Sequence, residues 1–342
     1  MKVIYSNRHA GHDPQQFLSR GRMKRSNEQP ERATLLLSGA RSHGHPIVSP
    51  DDYGAGPRAA IHTPQYLRFL ESAWERWQQL EGASEEVMPN VFPFPGQPFT
   101  YPDSLIGQAG YHMGDMACPI GRHTWDAATW SAHVATHAAQ LVVDGERAAY
   151  ALCRPPGHHA YADRANGFTY LNNAAIAAQH LRQKHERVAI VDIDLHHGNG
   201  TQGIFWRRKD VLTISLHGDP HFCTPFFTGH AHEVGEGDGL GYNLNLPLAR
   251  GTNDEGFLAA LATANGAVRA FAPGALVVAL GLDAHENDPY QALAVSTAGF
   301  GRILGEIARL GLPTVLVQEG GYLSEDLGRN LASALAGFEA AA

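Results

Sequence analysis

The sequence predicts an α/β protein, a single domain over residues 1–342, with a mostly parallel sheet and helices on both faces. Three observations point there. Apolar, largely β-branched runs alternate with stretches of helical period, as in a sheet fed by crossover helices. The runs Ala149–Cys153, Val188–Val191, Val211–Ile214, Ala275–Leu280 and Thr314–Val317 are apolar at successive positions, as strands covered on two sides must be. Each run leads into a polar cluster, and open α/β sheets carry their sites at the carboxyl ends of their strands.

Taken in order, Lys2–Ser6 reads as a first short strand. Residues 7–30 are polar and rich in Arg, Gln and Gly, which predicts a long surface loop. Pro30 can open a helix that continues through Glu31–Ala40. Thr63 and Pro64 suit the cap and first position of a helix reaching Leu80, with Tyr66, Leu67, Leu70, Trp74 and Trp77 on its core-facing side. Residues 82–123 look like an insertion. Within it, Met88–Tyr111 holds five prolines among Phe92, Phe94, Phe99, Tyr101 and Tyr111, with neither helical nor strand period. So long an aromatic loop suits a lid or a subunit contact. Helical period returns at Trp125–Asp144, Asn172–Lys184, Phe257–Phe271 and Phe300–Leu310.

Composition narrows the function. The net charge is −8 with no basic run, which excludes the usual footprint for nucleic acid or an anionic membrane and fits a small cationic substrate. Cys118, Cys153 and Cys223 are odd in number and far apart, so neither a disulfide framework nor a thiolate metal site is expected. The start shows no signal-peptide apolar core and no run is long enough to span a bilayer, so we expect a cytoplasmic protein.

The chemistry centres on Val188–Gly200. In a continuing strand, Asp192, Asp194 and His196 would share one face while Ile193 and Leu195 take the other. Two carboxylates and an imidazole converging at a strand end are costly to bury unless they bind a cation. Asp194, His196 and Asp283 would give a metal three protein ligands and leave a position open, as catalytic zinc sites do. His158 and His159, after Pro155-Pro156-Gly157, supply a general base and acid. Tyr322, after Gly320-Gly321, can present a phenol to a developing oxyanion.

These residues resemble the histone deacetylase superfamily. Arg154-Pro155-Pro156-Gly157-His158-His159, Asp192–Gln202, Gly281-Leu282-Asp283 and Glu319-Gly320-Gly321-Tyr322 look like its signatures, in family order. Gly167–Asn173 and Ser215-Leu216-His217 also fit. Within the superfamily, His217–Pro220, Asp288-Pro289 after Asp283, and the insertion before Trp125 are similar to the bacterial acetylpolyamine amidohydrolase branch.

The resemblance implies the arginase–deacetylase fold and one Zn²⁺ per chain on Asp194, His196 and Asp283. It implies hydrolysis of an acetyl amide by activated water, with Tyr322 polarising the carbonyl and His158 and His159 moving protons. Asp192 would orient His158, and Asn199, an Asp in many relatives, would partner His159. A K⁺ site would use Asp192, Asp194, His196, Ser215 and Leu216, partly through backbone oxygens. Gly167, Phe168 and one of Phe226 or Phe227 would line an acyl tunnel. A homodimer or higher even oligomer would form through the insertion.

The branch carries a Glu for the substrate's distal ammonium where this chain has Ala117, so Asp115 is the expected substitute and Glu286 the next. His285 has no expected role. A protein lysine deacetylase would use the same residues. A dimanganese ureohydrolase would need a ligand where Gly198 stands, and a non-catalytic sensor would have no need of His158, His159 and Tyr322 together.

Overall fold

In the computed structural model, which describes every residue except Pro95 and Gln97, the apolar runs assemble into an eight-stranded sheet. Its strands are β1 (Lys2–Ile4), β4 (Ile47–Val48), β5 (Ala148–Ala151), β6 (Val188–Asp192), β7 (Val211–Gly218), β8 (Asn243–Leu248), β9 (Ala275–Leu280) and β10 (Thr314–Gln318). The order across it is β4-β1-β5-β10-β9-β6-β7-β8, every pair parallel. A separate antiparallel hairpin pairs β2 (Phe17–Ser19) with β3 (Arg22–Lys24).

The helices are α1 (Glu31–Ser42), α2 (Gly56–Ala59), α3 (Pro64–Trp77), α4 (Leu105–His112) and α5 (Thr124–Val143) in the first half. The second half adds α6 (Asn173–Leu181), α7 (Asn199–Phe205), α8 (Asp254–Phe271), α9 (Thr297–Ala308) and α10 (Leu327–Ala341). Strand alternation divides the interior in two. On β9, Leu276, Val278 and Leu280 enter one core with residues of α1, α8, α9 and α10. Ala275, Val277 and Ala279 enter the other with residues of α3, α5 and α6. Each fully buried Leu or Val contributes on the order of 1.5–3 kcal/mol, so neither face of the sheet can be left bare. Thr63 caps α3 as its sequence predicts, its hydroxyl accepting from the Tyr66 amide at 3.3 Å.

Four expectations need correction. Strand β7 runs on to Gly218, so Ser215 and His217 lie within the sheet rather than beyond it. Strand β6 stops at Asp192, so no strand extends through His196. The insertion contains α4, whose short apolar face was hidden among prolines and aromatics. The largest difference concerns residues 7–30, which are not a surface loop. They hold a 3-10 helix over Asn7–Gly11 and the β2–β3 hairpin, and they bury His9, His12, Ser26 and Glu28.

Glu28 explains why so polar a segment folds inward. Its Oε1 accepts from Arg154 Nε and from Arg32 Nη1, both at 2.8 Å, and its Oε2 accepts from Arg154 Nη2 at 3.0 Å. Burial works against its charge, but the two guanidiniums hold the carboxyl well below the usual range. Arg32 also donates to the carbonyls of Glu319 at 2.7 Å and Gly321 at 2.5 Å. The N-terminal segment therefore braces the turn that carries Tyr322.

Replacing Glu28 with Gln leaves two buried guanidiniums without their counter-charge and should cost about 3–5 kcal/mol of stability. A carboxyl with a depressed pKa contributes above its unfolded value and loses that contribution as pH falls. Chemical denaturation should therefore show the full gap between wild type and variant at neutral pH, narrowing progressively once pH falls below about 4, the ordinary range of a Glu carboxyl. Equal stability at neutral pH would refute the role given to Glu28.

Candidate active site

The polar clusters meet at the carboxyl ends of β5, β6, β9 and β10. Beyond β6 the chain turns through two side-chain contacts to its own backbone. Asp192 Oδ1 accepts from the Asp194 amide at 3.0 Å, and Asp194 Oδ1 accepts from the His196 amide at 2.8 Å. Ile193 and Leu195 still point into the apolar core, so the alternation read from the sequence survives although the strand does not. Asp283 enters just after β9, its Oδ1 accepting from the Leu195 amide at 2.9 Å. The remaining atoms converge: His196 Nδ1 is 2.9 Å from Asp283 Oδ2 and 3.3 Å from Asp194 Oδ1.

Ligand atoms of Asp194, His196 and Asp283 lie within 4.8 Å of one another, and all three residues are buried. Burial raises the Asp283 carboxyl, and the charge of Asp194 raises it further. Burial opposes charge on His196, yet its bonds to Asp194 and Asp283 hold it well above its ordinary range. A divalent cation relieves this arrangement by giving two like charges a common partner. Space has been kept for it. A Cβ on Gly320 would come within 2.5 Å of Asp283 Oδ2 and 2.6 Å of Asp194 Oδ2, so only glycine fits there. The residues fit a divalent ion.

Two histidines flank this set. His158 Nδ1 lies 2.9 Å from Asp192 Oδ2, and His159 Nδ1 lies 2.7 Å from Asn199 Oδ1. Their environments differ sharply. For His158, burial is outweighed by the charges of Asp194 and Asp192, and its pKa is pushed up to about 10. For His159, burial and the neighbouring His158 and His196 push the pKa well below its usual value. Glu319 supports the pair from beneath, its Oε2 accepting from the Gly157 and His158 amides at 2.6 and 3.0 Å. Burial raises that carboxyl to about 8.

A cavity of about 440 Å³ opens above, with His159, His196 and Tyr322 among its lining residues and Gly167, Phe168, Phe226 and Tyr290 on its walls. Phe168 and Phe226 both have left-handed backbone, with φ of 67° and 65°. Bulky side chains rarely tolerate this, and such strain collects at functional sites. Phe227 is 89% exposed and does not line the cavity, whereas Phe226 does. Asp115 does line it, but not as a free carboxylate. Its oxygens accept from the Ala117 amide at 2.8 Å and the Gly167 amide at 3.1 Å, so it braces the wall. Glu286 is exposed and outside the cavity. Ser215 bonds His217, with its hydroxyl 2.8 Å from Nδ1, beside buried Leu216. His285 is buried, 3.3 Å from the Thr297 hydroxyl, and is also outside the cavity.

Sequence reasoning passed over several residues that shape this site. Asp288 accepts from the amides of Tyr290 and Tyr322, at 3.0 and 2.9 Å, and so fixes two cavity tyrosines at once. The Arg32 guanidinium lies 4.9 Å over the Tyr322 ring. Phe17, from the β2–β3 hairpin, packs edge-on against Phe168 at 5.4 Å. The Asp-Pro pair at 288–289 was a visible signal for the first. Nothing local marks Arg32 or Phe17, whose partners are far along the chain.

Comparison with known proteins gives a consistent result. Residues 25–338 match the histone deacetylase domain. The chain is 50% identical over 333 residues to the acetylpolyamine amidohydrolase of Burkholderia pseudomallei, covering 96% of each. It is 43% identical to acetylpolyamine amidohydrolase 1 of Pseudomonas aeruginosa, with full coverage of both. The crystal structure of the B. pseudomallei acetylpolyamine aminohydrolase superposes with a TM-score of 0.96 at 48% identity, over 100% of this chain and 99% of that one. The eight-stranded parallel sheet, the deacetylase motifs at its edge and these relatives agree: the chain belongs to the histone deacetylase domain family.

Proposed function

We propose that the chain is a zinc-dependent amidohydrolase that removes acetyl groups from small linear amines, acetylated polyamines among them. One observation carries the reading: the buried Asp194–His196–Asp283 set lies at a narrow aromatic-walled cavity beside two histidines and a tyrosine. The names of the relatives support amide hydrolysis and the substrate class.

When bound, a zinc ion on these three residues would acidify water and polarise the amide carbonyl. The chain's own groups do the rest. Asp192 and Asn199 occupy the Nδ1 atoms of His158 and His159, which leaves each Nε2 to handle a proton. One takes a proton from the attacking water, and the other delivers one to the leaving amine nitrogen. The Tyr322 hydroxyl donates to the carbonyl oxygen as negative charge develops there. Gly167, Phe168 and Phe226 exclude water around an unbranched acyl-amine chain. Asp192, Asp194, His196, Ser215 and Leu216 would hold a K⁺ ion, partly through backbone oxygens, and neutralise further buried charge.

The 82–123 insertion is proposed as a subunit contact, giving a homodimer or higher even oligomer with a narrowed mouth. Tyr101 and Tyr111 pack inward around His112, but Val91, Phe92, Phe94 and Phe99 remain exposed, Phe94 by 78%. So many exposed large apolar side chains within one segment suit a subunit contact. A dry mouth would bar folded proteins, which favours small amines over protein lysines.

Three outcomes are expected. Asp283→Ala should lose most bound metal by elemental analysis together with nearly all activity; full occupancy and normal turnover would sink the ligand assignment. Tyr322→Phe should keep its metal while kcat falls about 10²–10³-fold, the usual loss for one oxyanion donor. An unchanged kcat would remove the phenol from the mechanism. Sedimentation at micromolar concentration should show a dimer or larger even assembly, and a monomer there would contradict the proposed contact.

A further inference from the structure

One buried carboxyl beside the site takes no part in the proton transfers. Glu319 follows the last residue of β10, directly before Gly320-Gly321-Tyr322, and has no solvent exposure. Its Oε2 accepts from two successive amides, those of Gly157 at 2.6 Å and His158 at 3.0 Å. These are the first N–H groups after Pro155-Pro156, because proline has none. Among the described residues, neither amide has another acceptor. The turn that presents His158 and His159 thus takes this anchorage from a single side chain.

That side chain is itself held firmly. The Glu319 amide donates to the carbonyl of Leu280, the last residue of β9, at 2.9 Å. Its carbonyl accepts from Arg32 Nη2 at 2.7 Å, and the next amide, that of Gly320, donates to Asp194 Oδ2 at 2.7 Å. The histidine turn is pressed from its other side as well. A Cβ on Gly157 would lie 2.4 Å from the Asn173 amide nitrogen and 2.7 Å from the Leu171 carbonyl oxygen. Asp192 and Asn199 fix how each imidazole is rotated, but the backbone fixes where each ring starts.

Glu319 serves as an acceptor rather than as a charge. Its Oε1 is buried with no hydrogen-bond partner among the described residues. A bare oxygen is far less costly to bury on a neutral acid than on a carboxylate. Burial favours the neutral acid here, in which Oε1 can carry the proton and Oε2 stays free for both amides.

We propose that Glu319 is a positioning residue for the hydrolysis: through the reach of one acceptor oxygen it sets the His158–His159 turn against the Gly320-Gly321-Tyr322 turn, and so the proton-transfer groups against the oxyanion donor. The assignment rests on the amide-hydrolase reading of the site. Glu319 is not among the residues lining the cavity, so it acts through the backbone of the histidines and not on the substrate.

Two variants separate reach from charge. Glu319→Gln keeps the length and an acceptor oxygen, while Glu319→Asp keeps the carboxyl but withdraws it by one methylene. Both are compared with wild type on N-acetylputrescine and N-acetylcadaverine in the zinc-loaded enzyme, with bound zinc and thermal unfolding measured for each. Glu319→Gln should retain most of the wild-type kcat. Glu319→Asp should keep its zinc and its KM while kcat falls by about 10²-fold, the loss that a misplacement on the order of 1 Å can cause. An active Asp variant beside an impaired Gln variant would show that charge is what matters, and would overturn the proposal. Wild-type kcat in both variants would overturn it too. So would a loss of activity in the Asp variant that only follows a loss of zinc or of the fold, as a purely structural role predicts. Failure of the wild type on both substrates would overturn the amide-hydrolase reading, and the proposal with it.

Discussion

Two carboxylates buried against one imidazole set the terms for this structure. Asp194 and Asp283 come from the ends of different strands, yet both reach His196 Nδ1 within 3.3 Å, out of contact with bulk water. Like charges desolvated this closely are costly unless a cation joins them. Much of the surrounding architecture reduces that cost. Backbone amides of Leu195, His196 and Gly320 donate to the two carboxylates, and the bare Gly320 backbone leaves room beside them. The parallel sheet matters because it delivers several strand ends to one edge.

A second buried charge network stands behind the first. Glu28, Arg154 and Arg32 link the N-terminal segment to the Pro-Pro-Gly-His-His turn on one side and to the Gly-Gly-Tyr turn on the other. Each guanidinium nitrogen of Arg32 and Arg154 and both carboxylate oxygens of Glu28 have a hydrogen-bond partner, so the network fixes geometry as well as charge. Asp288 completes it from the far side by holding the Tyr290 and Tyr322 amides. The turn that carries Tyr322 is therefore set by groups that do not line the cavity.

The sequence made the sheet and its reactive edge legible, but it did so unevenly. Strands β5, β6, β9 and β10 are apolar runs whose period has one reading, and the polar residues after them could face only that edge. Edge strands β4 and β8 escaped notice because each has one face against polar surroundings, and β4 is only two residues long. Residues 7–30 were misread for a physical reason. Polar composition normally means solvent, and here the water is replaced by Arg154 and Arg32, partners that no local window contains. Asp115 shows the same limit in reverse, since its charge was visible but the amides that occupy it were not.

The central claim is that a cation holds the buried Asp–His–Asp set together. Thermal unfolding of chelator-stripped protein during zinc titration tests it most directly. Binding to the folded state alone raises stability by about 4 kcal/mol at a thousandfold excess over Kd. We expect the stripped protein to melt lower and to regain its Tm with one equivalent of zinc per chain. An unchanged Tm, with no ion taken up, would contradict the claim.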